Sequence, residues 1–542
     1  MSFIQYGKQV IEDQDIDAVL AVLKENQYLT TGPRVQEFEQ KMCLFVGCNY
    51  AIAVNSGTSA LHCCVRACGI GKGDEVIVNA ISFVASANAV VYEGGVPVFC
   101  DICEDTMNLD LDKLESLITE KTKAIIFVDY AGQANDYHRL RKIADQHNLK
   151  LIEDAAHSVG LRVPESVCPR MPMVGSYADL TALSFHPVKN MTTAEGGMIL
   201  TNNLEMDGIC RRFRAHGIDN DYTKRHLHYY DMVELGYNYR ITDLQCALGL
   251  AQLDRLSQWI NRRQEIAEIY DTAFKNYGHL FYPLNNKLGC AYHIYVIILN
   301  LNNLNVDRDH IFNELRENNI GVNVHYKPIY LNTFYLNMSE NKYYKGLCPS
   351  AEKIWSRIIT LPIHPGLSNE DINRVIYNVK NIITKYQKVK IIQYTKTKKF
   401  ITENYCSWLN DPSVTKYLET KSSTMSQLSQ FVHSVINDKY CLMYAILYND
   451  THVGNIKFQP IDWINNEAEI GIIIGDKNYW GKGIATQAFK IGMNLLKEKG
   501  IRTFKLGVIK DNFPALNLYK KLGFKITQDL STRNIFRMEY NT

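Results

Sequence analysis

No uninterrupted apolar run in the chain approaches the roughly 18 residues needed to cross a bilayer. Met1–Asp15 also lacks a basic segment followed by an apolar one. These two absences argue against a membrane span and a secretory leader, and the expectation is a soluble, cytoplasmic protein. Charge of one sign is missing as well. The formal net charge is only +2, which gives no basic stripe for nucleic acid. Fourteen cysteines are present, but without the regular spacing of a disulfide framework, which fits a reducing compartment. Cys100 and Cys103 form a single CxxC with no second pair or histidine set nearby, so no metal site is expected. Hydrophobic residues at 46% and charged residues at 21% describe ordinary globular domains, and 542 residues exceed what one core supports.

Between about residues 50 and 200, short apolar runs alternate with helical patterns. Ala51–Val54, Glu75–Val78, Val96–Cys100, Ala124–Val128 and Leu149–Glu153 read as strands. Ser59–Cys68, Ala85–Glu93, Leu111–Ile118 and Asp136–His147 read as the helices between them. This is the α/β pattern of a large, mostly parallel sheet, with chemistry at the C-terminal ends of its strands. A long helical pattern at 240–275 follows, then strands at His293–Leu299 and Gly321–His325 in a smaller α+β domain. The lysine-rich stretch Lys385–Lys399 marks a boundary near 388. Beyond it, strands at Tyr444–Tyr448, Val453–Gln459 and Glu467–Ile474, a glycine-rich turn and a helix to Lys499 form a separate α/β unit. The expected division is 1–387, with a large domain to about 255 and a small one from 256, and then 388–542.

Three features suit a pyridoxal 5'-phosphate (PLP) enzyme, which needs a lysine for the aldehyde, a carboxylate for the pyridine nitrogen and donors for the phosphate. Asp154 ends the apolar run Leu151–Glu153, where it can meet a buried ring nitrogen. Lys189 follows another apolar run in Ser184-Phe185-His186-Pro187-Val188-Lys189 and is the Schiff-base candidate. Asn55-Ser56-Gly57-Thr58-Ser59-Ala60-Leu61 reads as a strand turning into a helix, whose N-terminus can bind a dianion. Singly, each has a plainer reading: a surface lysine, a turn aspartate, a capped helix start.

Taken with Leu29–Pro33, Ile81–Asn88, Thr193–Gly197 and Gly236–Asp243, these segments resemble the DegT-type sugar aminotransferases, within the fold-type I PLP enzymes. The resemblance runs from about Tyr6 to residue 380. It implies that Phe83 stacks on the pyridine ring, that Thr58, Ser59 and Ser184 bind phosphate, and that His157 lies close to the cofactor. It further implies a homodimer in which Asn238 reaches the neighbouring subunit's phosphate. Thr30 and Gly32 belong to the matching Leu29–Pro33 segment and are placed with the substrate. The wording Val128–Gly132, Ser184–Glu195 and Val324–Tyr330 is most similar to the pseudaminic-acid branch. That implies a UDP-linked 4-keto-6-deoxy-N-acetylhexosamine as substrate, L-glutamate as amino donor, and His325, Tyr326 and Lys327 at the nucleotide-sugar cleft. The epimeric D-sugar series, leading to a diacetylated bacillosamine, stays open. A family branch that performs dehydration carries histidine where Lys189 stands. The proline-bearing Val163–Met173 departs from the shorter family pattern.

Acetyl transfer to an amine needs a pyrophosphate cradle and an acid for the departing thiolate. Trp480-Gly481-Lys482-Gly483-Ile484-Ala485 sits between a strand and a helix, and Asp511–Phe524 follows the next strand. Residues 390–530 resemble the GNAT acetyltransferases. The resemblance implies that Gly481, Gly483 and Ala485 line the pyrophosphate loop, that Asn512 contacts the arm of acetyl-CoA and that Tyr519 is the thiolate acid. Trp480 replaces the usual Gln or Arg. Glu469, on the strand before the loop, is a candidate base acting through water, with a solvated strand carboxylate as the plainer reading. An amine-forming unit joined to an amine-acetylating one makes a consecutive pair of reactions, and fusion raises local concentration. A PLP-binding sensor or regulator is the alternative of a different class.

Overall fold

The computed structural model describes residues 2–163, 173–219, 230–285, 289–338, 342–395, 399–418 and 422–542. Of the proline-bearing Val163–Met173 segment, residues 164–172 lie outside the described residues. The chain divides into two compact units: Met1–Lys275 with Phe281–Leu299 and Arg308–Ile382, and Asn276–Leu280 with Asn300–Asp307 and Ile383–Thr542.

The first unit is built on a seven-stranded sheet of β1 (Tyr50–Val54), β2 (Glu75–Asn79), β3 (Val96–Cys100), β4 (Thr122–Val128), β5 (Lys150–Asp154), β6 (Leu180–Ser184) and β7 (Gly197–Thr201), in the order β1-β7-β6-β5-β4-β2-β3. The five strands from β3 to β6 pair in parallel. Only β7 runs against both its neighbours. Successive side chains of a strand point to opposite faces, and here both faces are buried. Ile52, Val54, Val76, Val78, Ile126 and Ile152 enter one core. Ala51, Ala53, Ile77, Ile125, Phe127 and Leu151 enter the other. Because β4, β5 and β6 are parallel neighbours, their C-terminal ends share one edge, and this is where Asp154 and Ser184 fall.

A smaller antiparallel sheet, β8 (Phe281–Pro283), β9 (Tyr295–Leu299) and β10 (Ile358–Leu361), has the order β10-β9-β8. One expectation is refined in this region and one fails. The helical pattern at 240–275 is present as two helices, Asp243–Leu253 and Leu256–Phe274. At the break, Arg255 is held by Glu12 and Asp15. Gly321–His325 is not a strand and makes only an isolated bridge between Asn323 and Thr360. Asn323 turns its side-chain carbonyl onto the Val324 N–H at 2.8 Å, a local bond that competes with a ladder.

The second unit carries another seven-stranded sheet: β11 (Val389–Gln393), β12 (Leu442–Tyr448), β13 (Thr451–Asp462), β14 (Glu467–Ile474), β15 (Thr503–Ile509), β16 (Lys525–Leu530) and β17 (Ile535–Asn541). Its order is β11-β12-β13-β14-β15-β17-β16. The one parallel pair, β14 with β15, is joined only over Glu467–Glu469 opposite Thr503–Lys505. Past that point β14 continues along β13 and β15 along β17, which leaves the two inner strands unpaired to each other. The helix Ile484–Glu498 begins just beyond β14, after the glycine turn.

Candidate active sites

Asp154 ends β5 and is 4% exposed. Ser86, from the helix Ala85–Tyr92, donates to its Oδ2 at 2.6 Å, and the Ala156 N–H reaches its Oδ1 at 3.3 Å. Burial raises the Asp154 pKa, while the Ser86 bond and the positive charge of Lys189 oppose the rise. Lys189 sits in a turn after β6, its N–H on the His186 carbonyl at 2.9 Å. Burial lowers its amine to about 8, against the pull of Asp154. A lysine near 8 is partly neutral at physiological pH and can serve as a nucleophile.

The cup beside this pair comes from local sequence. Ser56 caps the helix Gly57–Ala67 by accepting the Ser59 N–H at 3.1 Å. Ser59 Oγ donates to Asn55 Oδ1 at 2.6 Å and lies 2.8 Å from Ser56 Oγ. Close approach requires glycine: a Cβ on Gly57 would stand 2.8 Å from that of Ser184, and one on Gly197 would stand 2.3 Å from the Ser56 carbonyl. Thr58, Ser59 and Ser184 therefore gather where helix N–H groups point outward. Phe83, next to the helix that carries Ser86, is 56% exposed. A large ring left open above a strand end is suited to cover a flat ligand.

Three histidines, all buried, surround Lys189. His157 Nε2 lies 3.1 Å from the Tyr326 hydroxyl, its ring stacks on Tyr326 at 5.9 Å, and the His293 ring lies 4.4 Å away. The Nδ1 atoms of His157 and His293 find no partner among the described residues. His325 Nδ1 meets Thr360 Oγ1 at 2.9 Å, and its carbonyl accepts from the Tyr130 hydroxyl. Burial first, then the charge of Lys189, pushes all three imidazoles down, His325 to about 3. They are neutral near pH 7 and act as hydrogen-bonding surfaces rather than cations. Tyr326 also faces Phe83, 6.1 Å between ring centroids. Sequence reasoning missed Ser86, Tyr130, His293 and Thr360. Ser86 stood inside a motif already singled out, and His293 was read only as the start of a strand.

The remaining expected residues lie further out. Lys327 is exposed. Gly32 and Arg34 N–H groups are held by the buried carboxylate of Asp243, and Thr30 bridges to Thr242. Asn238 is exposed, and its carbonyl accepts from Asn55 Nδ2 at 3.3 Å.

In the second unit the turn is shaped by backbone. Gly481 and Gly483 have φ of 74° and 72°, in the left-handed region, and Ala485 lies in the first turn of the helix that follows. Trp480 donates its indole N–H to the carbonyl of Ile474, the last residue of β14, at 2.7 Å. Tyr519, on the helix Phe513–Lys521, is 8% exposed and packed against Phe489 and Phe524. Burial raises its hydroxyl to about 12, so it stays protonated and able to donate. Asn512 caps this helix, its carbonyl accepting the Ala515 N–H at 3.3 Å. Glu469 accepts from Arg537 at 2.7 Å.

Residues 9–380 match the DegT/DnrJ/EryC1/StrS aminotransferase family, and residues 401–525 match the acetyltransferase (GNAT) domain. The spore coat polysaccharide biosynthesis protein SpsC of Bacillus subtilis is 37% identical over 70% of this chain and 97% of its own. The UDP-4-amino-4,6-dideoxy-N-acetyl-beta-L-altrosamine transaminase of Campylobacter jejuni is 35% identical over 71% of this chain and 99% of its own. Among solved structures, Helicobacter pylori PseC, an aminotransferase involved in the biosynthesis of pseudoaminic acid, superposes with a TM-score of 0.65. It is 33% identical over 71% of this chain and all of its own.

Proposed function

The chain belongs to the DegT/DnrJ/EryC1/StrS aminotransferase family, a PLP-dependent sugar transaminase joined to a GNAT domain, and from that premise we propose two consecutive reactions on one sugar. The first moves the amino group of L-glutamate onto the 4-keto carbon of a UDP-linked 4-keto-6-deoxy-N-acetylhexosamine. The second transfers the acetyl group of acetyl-CoA to that new amine. Catalytic segments 1–387 and 388–542, and a homodimer through the first, are part of the same reading.

The observation that carries the first reaction is the facing of Lys189 and Asp154 beside the Ser56–Ser59 cup. These residues fit PLP: a buried carboxylate for the ring nitrogen, an amine lowered to about 8 for the aldehyde, and a helix N-terminus for the dianionic phosphate. When bound, PLP supplies the electron sink that lets an amino group leave one carbon and join another. Lys189 can then hold or release a proton near the reacting carbon, Asp154 keeps the ring nitrogen protonated, and Phe83 covers the ring. Neutral His157 and Tyr326 present hydrogen-bonding atoms without adding charge.

For the second reaction, the Gly481 and Gly483 backbone can approach a pyrophosphate closely, with Ala485 in the first turn of the helix behind it and Asn512 near the arm. The amine attacks the acetyl carbonyl, the C–S bond breaks, and Tyr519 gives its proton to the departing sulfur. The amine's own proton leaves to solvent.

Incubation with each of the two epimeric UDP-4-keto sugars, glutamate and acetyl-CoA, followed by mass and NMR analysis, tests the reading. The L-altro 4-acetamido product is expected. Turnover of only the D-series sugar would move the assignment to the bacillosamine-type product, and acetylation of neither would send the second unit to another amine.

A further inference from the structure

Asn55 joins two parts of the first unit that the proposed reaction assigns to different cofactor sites. Its side-chain amide donates to the Asn238 carbonyl at 3.3 Å, and its Oδ1 accepts the Ser59 hydroxyl at 2.6 Å. The orientation of this amide is fixed chemically, because a backbone carbonyl can only accept and so must face the NH₂ end. The Asn55 N–H also donates to the Tyr239 carbonyl at 2.9 Å. One residue thus grips both the cup of its own subunit and the loop segment that bears Asn238.

That segment is stiff on either side of Asn238. Tyr237 and Tyr239 stack at 5.0 Å with an interplanar angle of 8°. The Tyr239 hydroxyl meets His62 Nδ1 at 2.9 Å, and His62 Nε2 meets Glu93 at 2.8 Å. The Tyr237 and Tyr239 N–H groups donate to Phe213 and Arg214. The Asn238 side chain itself is exposed.

We propose that Asn55 is a positioning residue that couples the two cofactor sites of the dimer. The inference rests on the reading that Asn238 serves the neighbouring subunit's phosphate. Contact of Asn238 with that phosphate fixes the position of this stiff segment, Asn55 carries that position to Ser59, and the second cup is held in its binding geometry before it is filled. A site already ordered costs less to occupy, so cofactor binding is positively cooperative. By linkage the effect is the same from either subunit.

The test is calorimetric titration of the cofactor-free full-length protein with pyridoxamine 5'-phosphate, which engages the phosphate cup without bonding to Lys189, alongside sedimentation to establish the dimer. The second site should bind about fivefold more tightly than the first. Asn55→Ala should keep the dimer and make the two sites equal. Ser59→Ala, which cuts the same link from the other side, should weaken the first binding and also remove the cooperativity; it serves if Asn55→Ala does not fold. Independent sites in the wild type, or unchanged cooperativity in a folded link variant, would overturn the coupling. Asn238→Ala separates this from failure of the underlying reading: unchanged affinity in a dimer, or a protein that is monomeric throughout, means that Asn238 lends nothing to a partner and removes both ideas.

Discussion

In the first unit the candidate site is made of side chains: an amine, a carboxylate, hydroxyls and three imidazoles, with Asp154, His157 and His325 held by Ser86, Tyr326 and Thr360 from other parts of the chain. In the second unit it is made chiefly of backbone, two glycines in left-handed conformation and a helix N-terminus, with Tyr519 as the main side chain. A side-chain site depends on residue identity at every position. A backbone site depends on conformation and tolerates change wherever φ and ψ survive, which is how a tryptophan can stand at the head of the glycine turn.

The contrast is broken most severely at Lys189. Lys189→Ala should reduce transamination by at least on the order of 10³-fold, because no other amine replaces it. Acetylation of a supplied amino sugar should be unchanged in the same variant. An equal loss of both activities would mean that the units do not act separately.

The pH dependence of the first unit comes next. Capture of pyridoxal 5'-phosphate by the cofactor-free protein needs the neutral amine, so its stopped-flow rate should rise about 50-fold from pH 6 to pH 8 and level off about twofold higher. Folding stability of that protein should follow the same residue. The folded amine loses its proton at about 8 while the unfolded one holds it to the usual lysine value near 10.5, so this contribution increases as pH rises between the two. A capture profile centred near 10.5 would show that Lys189 is not buried as described.

Three smaller changes sharpen the comparison. Ser86→Ala removes a 2.6 Å bond to the buried Asp154 carboxylate and should weaken cofactor affinity about tenfold. Gly483→Ala should cost acetyl-CoA affinity a similar factor of about ten. Nothing lies within 4 Å of its Cβ position, but alanine pays about 1–2 kcal/mol for a φ of 72°. Trp480→Gln, by contrast, should change acetyl-CoA affinity by less than about threefold, since the change leaves the backbone cradle in place. A larger loss would mean that the indole bond to Ile474 shapes the turn.

Much of this was legible from the residues alone, for reasons of range. Strands β1 to β5 read as apolar runs because both faces of their sheet are buried, so periodicity and burial agree. Asp154 and Lys189 were legible because strand ends on one edge of a parallel sheet meet in space. The Tyr130 bond to His325 was not, since its partners lie 195 residues apart and nothing in local pattern connects them. The same holds for His293 against His157, and for Asn55 against Asn238. Gly321–His325 failed as a strand because Asn323 satisfies the next N–H with its own side chain. Glu469 was legible as a carboxylate on the right strand, but Arg537, its partner on β17, was not.

The central claim is that one chain makes an amine and then acetylates it at a second, separate site. It is tested most directly by a single reaction with keto-sugar, glutamate and acetyl-CoA, comparing wild type with Tyr519→Phe and following both products by mass. The wild type should accumulate the 4-acetamido sugar. Tyr519→Phe should form the free amine at the wild-type rate and acetylate it about 10²-fold more slowly. A variant that still delivers the acetamido sugar at full speed, or a wild type that stops at the amine, would contradict the account.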